Sequence, residues 1–221
     1  MYFAIIGDIV QSKSIKDRRE IQNRLKAILD LINNDFDEDI AAKFIITLGD
    51  EFQGLLSSAK NILQIIDRIQ FYLFPIHLRF GIGFGGIETD INKEMALGAD
   101  GPAYHYARNM IDHIKIIEKG KMYGSSNIMF YAIDNIEITS LINSNLQLCS
   151  FIEHNWTVKQ RQLLVKIILE HKNQNKAAEE LGIAQSSVQR RLKAAGYYDY
   201  INAKDLLAFI LYKVWGDKDG N

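Results

Sequence analysis

The sequence predicts an α+β domain, an antiparallel sheet with helices, followed by an all-α domain. Two patterns in the 221 residues predict this. Up to about residue 153, β-rich apolar runs alternate with stretches of helical period; after it the strand pattern stops. Charge divides at nearly the same place. Residues 157–221 hold 11 Lys+Arg against 7 Asp+Glu, net +4, and residues 1–156 hold 15 against 20, net −5. The overall charge of −1 is therefore a cancellation. The expected domains are 1–153 and 154–221.

The elements follow in order. Residues 2–10 are a short apolar run suited to a buried strand. In residues 16–34, Ile21, Leu25, Ile28, Leu29 and Ile32 fall on one helical face. The acidic stretch 35–39 reads as a loop. Residues 43–48 and 52–56 are strands, and Gly49-Asp50-Glu51 between them suggests a tight hairpin turn. Ile62, Ile65, Ile66, Ile69 and Leu73 mark a helix that stops before Pro75. Strand 77–85, helix 100–118, strand 128–133 and helix 136–148 complete the set. The first six elements have the β-α-β-β-α-β order of a ferredoxin-like unit, with helices expected on one face of the sheet.

The remaining chain reads as helices near 156–171, 176–181, 185–195 and 203–214. Trp156 and Trp215 flank this region and are expected to pack it. Cys149 is the only cysteine, which excludes a disulfide scaffold and points to a reducing, cytoplasmic compartment. Its expected place is the core. The opening MYFAIIGDIV has no basic segment and is interrupted by Asp8, so it fails as a leader peptide. No apolar run approaches the roughly 18 residues of a membrane helix, and no membrane insertion is expected.

Residues 173–192 read NQNKAAEELGIAQSSVQRRL. A helix-turn-helix needs a small residue where its helices cross, a glycine in the turn and apolar residues facing inward. Ala178, Gly182, Val188 and Leu192 supply these, with Leu181 and Ile183 flanking the turn. Gln185, Ser186, Ser187, Gln189 and Arg190 then face outward, where such side chains reach base edges or phosphates of duplex DNA. Arg191 and Lys193 would lie nearer the DNA backbone.

Asp8 is the only charge in its run, and a buried carboxylate needs a partner. Asp50 and Glu51 sit at the hairpin tip. Gly7 and Gly49 precede the two aspartates and keep side chains away from a phosphate. Asp8, Asp50 and Glu51 are thus candidate ligands for Mg²⁺ or Mn²⁺, an ion that needs one or two carboxylates plus substrate oxygens. Gly81-Ile82-Gly83-Phe84-Gly85-Gly86 matches a dinucleotide pattern, but a loop-like Ile87-Glu88-Thr89-Asp90 follows where a helix must begin. These glycines serve close approach of a ligand or a helix. His105 and His113 lack a third metal-spaced ligand and read as surface or interface residues.

The segments KFIITLGDEFQGLL, RFGIGFGGI and ALGADGPAYHYAR resemble, in this order, nucleotidyl cyclases and the GGDEF signature of diguanylate cyclases. That resemblance implies two metal ions held by Asp8 and Asp50, a bound nucleotide and a phosphate contact from Arg108. Leu48 replaces the first glycine of the signature, and Tyr104 lies near where a substrate asparagine would fall. Over nearly its whole length the chain more closely resembles the SatD family of bacterial proteins, through GDIVQSK, LGDEFQGLL, GADGPAYHYAR and the C-terminal helices. The expectation is a dimeric regulator that binds Mg²⁺ and a nucleotide or phosphorylated ligand in one domain and DNA with the other. The alternatives are a two-metal nucleotidyl cyclase or transferase, and a degenerate dimerisation scaffold.

Overall fold

The computed structural model describes residues 1–12, 17–47, 49–120 and 126–216. Lys13 of the GDIVQSK segment, the expected helix start at residue 16 and Leu48 lie outside the described residues.

β1 (Tyr2–Ile9) leads to α1 (Arg18–Asp35), whose first turn is capped by the Asp17 carboxylate accepting from the Glu20 N–H at 3.4 Å. β2 (Ile40–Ile46) and β3 (Glu51–Leu56) form the expected hairpin. α2 (Ile62–Leu73), β4 (Leu78–Gly85), α3 (Pro102–Gly120) and β5 (Ile128–Ala132) follow. α4 (Ile136–His154) runs six residues further than its sequence pattern suggests.

The five strands form one sheet in the order β2-β3-β1-β4-β5. β1 is antiparallel to β3 and β4, and β2 to β3. β5 is parallel to β4, so the sheet is mixed and not antiparallel as expected. The reason is α3, a crossover that returns the chain to the same end of the sheet before β5 starts.

The helices also cover both faces, not one. Phe3, Ile5, Phe52, Phe80, Ile82 and Phe84 point into a large cluster with α1 and α2. Ala4, Ile6, Ala42 and Leu55 point the other way, beneath Ala103, Ala107 and Ile111 of α3. That face is lined by small residues because α3 lies almost on the strands. A methyl group at Gly81 or Gly83 would come within 2.0 or 2.1 Å of the carbonyl oxygens of Ala107 and Ala103. The glycine-rich strand therefore serves a neighbouring helix.

Both edge strands are pegged by asparagines. The Asn33 side chain of α1 donates to the Phe44 carbonyl at 2.9 Å and accepts from its N–H at 2.7 Å. Asn143 of α4 does the same for Phe130 of β5, at 2.8 Å each way. The unpaired backbone groups of each edge are thereby partly satisfied.

From residue 155 to 216 the described chain is helical: α5 (Val158–Leu164) with a π-helical continuation (Val165–Leu169), α6 (Gln174–Glu180), α7 (Gln185–Ala194) and α8 (Tyr197–Leu211), which also ends in a π-helical turn. Trp156 belongs to this cluster, donating from its indole N–H to the Ala195 carbonyl at 2.7 Å. Trp215 does not. Its ring packs on Phe84 and Phe130 in the sheet core, and its N–H donates to Asp134 at 2.9 Å. Leu207 and Leu211 join it there. α8 is further pinned to α2 by a buried ion pair, Lys204 Nζ to Asp67 Oδ1 at 2.6 Å, with the Tyr200 hydroxyl on the same carboxylate. The last helix thus packs into the same core as the first strand. Cys149 is buried, as expected. No helix among the described residues is long and apolar enough to cross a membrane.

Candidate functional site

The end of the sheet where β1 finishes carries most of the candidate residues. Pairing places Asp8 directly opposite Glu51 of β3 and Arg79 of β4. The hairpin turn is tied to this end, because the Ile9 N–H donates to the Asp50 carbonyl at 3.1 Å. Gly49 takes φ +66° at the turn, and its carbonyl accepts from the Gln22 amide at 2.6 Å. Asp8 and Asp50, 42 positions apart, thus line one cleft of about 800 Å³.

The carboxylates there are already engaged. Asp8, nearly buried, accepts from Arg79 Nη1 at 2.7 Å and lies 3.2 Å from Lys115 Nζ. Arg79 also forks onto Glu118 of α3, with contacts of 2.6 to 3.0 Å. Burial works against the Arg79 charge, but its hydrogen bonds to Glu118 and Asp8 outweigh that and raise its pKa. Arg108 grips both oxygens of Glu51, one of them at 2.7 Å, and this hydrogen bonding raises its pKa against a smaller effect of burial. The Asp50 carboxylate accepts from the Ser12 hydroxyl.

The sequence-derived residues are therefore partly assembled. Asp8, Asp50 and Glu51 meet at one end of the sheet, with Gly49 in the turn. Arg108 reaches this end but faces Glu51. Gly7 has a different job from the one expected, since the space its side chain would fill is taken by the Phe52 ring, 2.0 Å from the position of a Cβ. Tyr104, on the sheet-facing side of α3, is buried with a hydroxyl that has no hydrogen-bond partner among the described residues. The sequence reading missed Arg79, Lys115 and Glu118. One signal was available: Arg79 is the lone charge of its apolar strand, as Asp8 is of its own.

The second set of candidates lies on α6 and α7. Gly182 between them has φ +62°, the left-handed conformation that lets the chain turn sharply. Ala177, Ala178, Val188 and Leu192 are buried between the helices, with Leu181 and Ile183 packed around them. Gln185, Ser186, Gln189, Arg190 and Lys193 are exposed, and Ser187 and Arg191 are half-buried. Gln185 donates to Gln174 at 3.1 Å, which in turn donates to the Tyr198 hydroxyl at 3.2 Å. Arg190 donates to Ser187 at 3.2 Å. These are weak, exposed contacts that a ligand can replace.

Fold and site define an α+β protein with a charge-compensated cleft at one sheet end and a polar, basic helix face in its C-terminal part. The chain belongs to the SatD family, whose family model matches residues 2–210. No curated protein matched it.

Proposed function

We propose that this protein is a regulator in which α7 enters the major groove of duplex DNA and the Asp8 cleft takes a phosphorylated ligand together with Mg²⁺ or Mn²⁺. The observation that carries the DNA reading is the division of α7. Val188 and Leu192 face the core, whereas Gln185, Ser186, Gln189, Arg190 and Lys193 face solvent beside a left-handed Gly182. This favours a helix-turn-helix module. The order β2-β3-β1-β4 with antiparallel neighbours favours a ferredoxin-like, cyclase-related first domain.

The donor set at the cleft suits a divalent ion that arrives with phosphate. Asp8 and Asp50 are the residues that would hold it, and it would supply neutralisation of phosphate charge. Arg79 and Lys115 already balance Asp8, so a bare ion must compete with them. Phosphate oxygens offer both cations an alternative partner. Two protomers would present two copies of α7, as operators read in paired half-sites require.

Two measurements test this. Mobility shift with duplex DNA at rising salt is expected to show binding that weakens with salt, and Arg190→Ala is expected to weaken it by roughly tenfold. Absence of any shift at low salt removes the DNA reading. Calorimetry with nucleoside triphosphates and Mg²⁺ or Mn²⁺ is expected to show binding that Asp8→Asn and Asp50→Asn each diminish. Turnover lost in both variants would replace a binding site with a two-metal cyclase or transferase. No binding at all would leave a dimerisation scaffold.

A further inference from the structure

α4 is apolar on two faces. Ile142, Leu146 and Cys149 are buried on its inner side, as packing on the core requires. A helix covered on one side only carries polar residues on the other, and α4 does not. Leu141, Leu148 and Phe151 are 65%, 62% and 67% exposed. With Glu137, Ser144 and Asn155, they recur at alternating intervals of four and three, which places all six on one exposed stripe. Glu137 is the only Asp, Glu, Lys or Arg among the exposed residues of α4. A helix that is apolar all round is one covered on both sides.

A groove runs beside the stripe. It has a volume of about 510 Å³ and lies between α3 and α4 against β5, lined by Met110, Ile117, Met129, Ile136, Ser140 and Ser144. Ser144 belongs to both groove and stripe. The Ser140 hydroxyl donates back to the Ile136 carbonyl at 2.9 Å, so it is satisfied within its own helix. One surface thus carries protruding apolar side chains and, next to them, a hollow of matching chemistry.

We infer that α4 packs antiparallel against α4 of a second copy of this chain. A two-fold pair uses the same patch twice, so the patch must complement itself. This one does. With the helices antiparallel, Leu148 of one copy lies opposite Ser144 of the other. Phe151 lies opposite Leu141, beside the Ser140 side of the groove. Glu137 lies opposite Asn155, which keeps the two Glu137 carboxylates 18 positions, or about 27 Å, apart along the seam. A parallel pair would set Glu137 against Glu137 and Phe151 against Phe151, and leave two serines facing across a gap. Stripe and groove together offer several hundred Å² of apolar surface, on the order of the roughly 600 Å² each partner gives to an interface at the lower end of the stable range. The inference does not rest on DNA binding or on the Asp8 cleft.

The test is sedimentation of the full chain at concentrations from about 1 to 100 μM, where a patch of this size is expected to give a dimer with a Kd on the order of micromolar. Leu148→Glu and Phe151→Glu are each expected to raise that Kd at least about tenfold while keeping the circular dichroism of the parent, because both side chains are exposed. A short bismaleimide reports the orientation, since Cys149 is buried and leaves the parent unreactive. The double variant Glu137→Cys with Asn155→Cys is expected to give a covalent dimer, and neither single variant is. A parent that stays monomeric at 100 μM overturns the inference. A dimer unchanged in both glutamate variants also overturns it, and leaves pairing of α7 through another face standing. Covalent dimers of the single variants overturn the antiparallel arrangement.

Discussion

Replacing Glu153 by glutamine is expected to change how the stability of this protein depends on pH. The side chain is 4% exposed, at the end of α4 and close to Asp67, Lys204 and Asn127. Burial, and then the Asp67 charge, push its pKa from 4.5 up to about 7, against the opposing pull of Lys204 and Arg161. In the unfolded chain the carboxyl ionises near 4.5; in the folded chain it keeps its proton until about 7. Over that window the folded state binds more protons, so stability falls as pH rises. Each unit is worth about 1.4 kcal/mol, and the whole interval about 3 kcal/mol. The loss is complete above pH 7 and absent below 4.5. Glutamine resembles the protonated form, and the Arg161 contact to the backbone carbonyl of residue 153 is unaffected by it. Glu153→Gln is therefore expected to exceed the parent by about 3 kcal/mol near pH 8 and to converge with it near pH 4.5. Urea unfolding followed by circular dichroism across this range measures both curves. A difference that does not vary with pH, or a variant weaker than the parent at pH 8, would refute the reasoning.

Three further outcomes follow from the packing. Gly83→Ala places a methyl group 2.1 Å from the Ala103 carbonyl oxygen and is expected to cost about 3 kcal/mol or more, seen as a lower unfolding midpoint. Trp215→Ala is expected to cost roughly 3–5 kcal/mol and to disturb the near-ultraviolet signal of the sheet core, because its ring packs on Phe84 and Phe130. Lys204→Met alone strands the buried Asp67 carboxylate and is expected to cost about 3–5 kcal/mol. The double variant with Asp67→Leu is expected to recover most of that loss in the same unfolding assay.

Local order was readable where the signal was periodic. The α1 face of Ile21, Leu25, Ile28, Leu29 and Ile32 is buried as its spacing implies, and α2 stops before Pro75. The turn glycine Gly182 and the inward Val188 and Leu192 were also legible, because each is set by backbone handedness or by helical period. Asn33 and Asn143 were not read as structural, although a polar residue on an apolar helix face was the available clue. At the cleft, the lone charge of Asp8 in an apolar strand signalled a partnered carboxylate. The partners were invisible, since Arg79 and Lys115 are 71 and 107 positions away. Gly7 misled for the same reason: the Phe52 ring that needs its space is 45 positions distant.

The sequence by itself determined the order of strands and helices, the separation of charge near residue 153, and the polar outer face of α7. Each depends on near neighbours along the chain, within a turn or a strand. Only the tertiary structure decided that β5 lies parallel to β4, that α3 presses on Gly81 and Gly83, and that Asp8 is held by Arg79 and Lys115. It also decided that Trp215 leaves the basic segment to fill the sheet core. These depend on which faces can be brought together with their apolar area buried and their charges paired, and no local pattern records that choice.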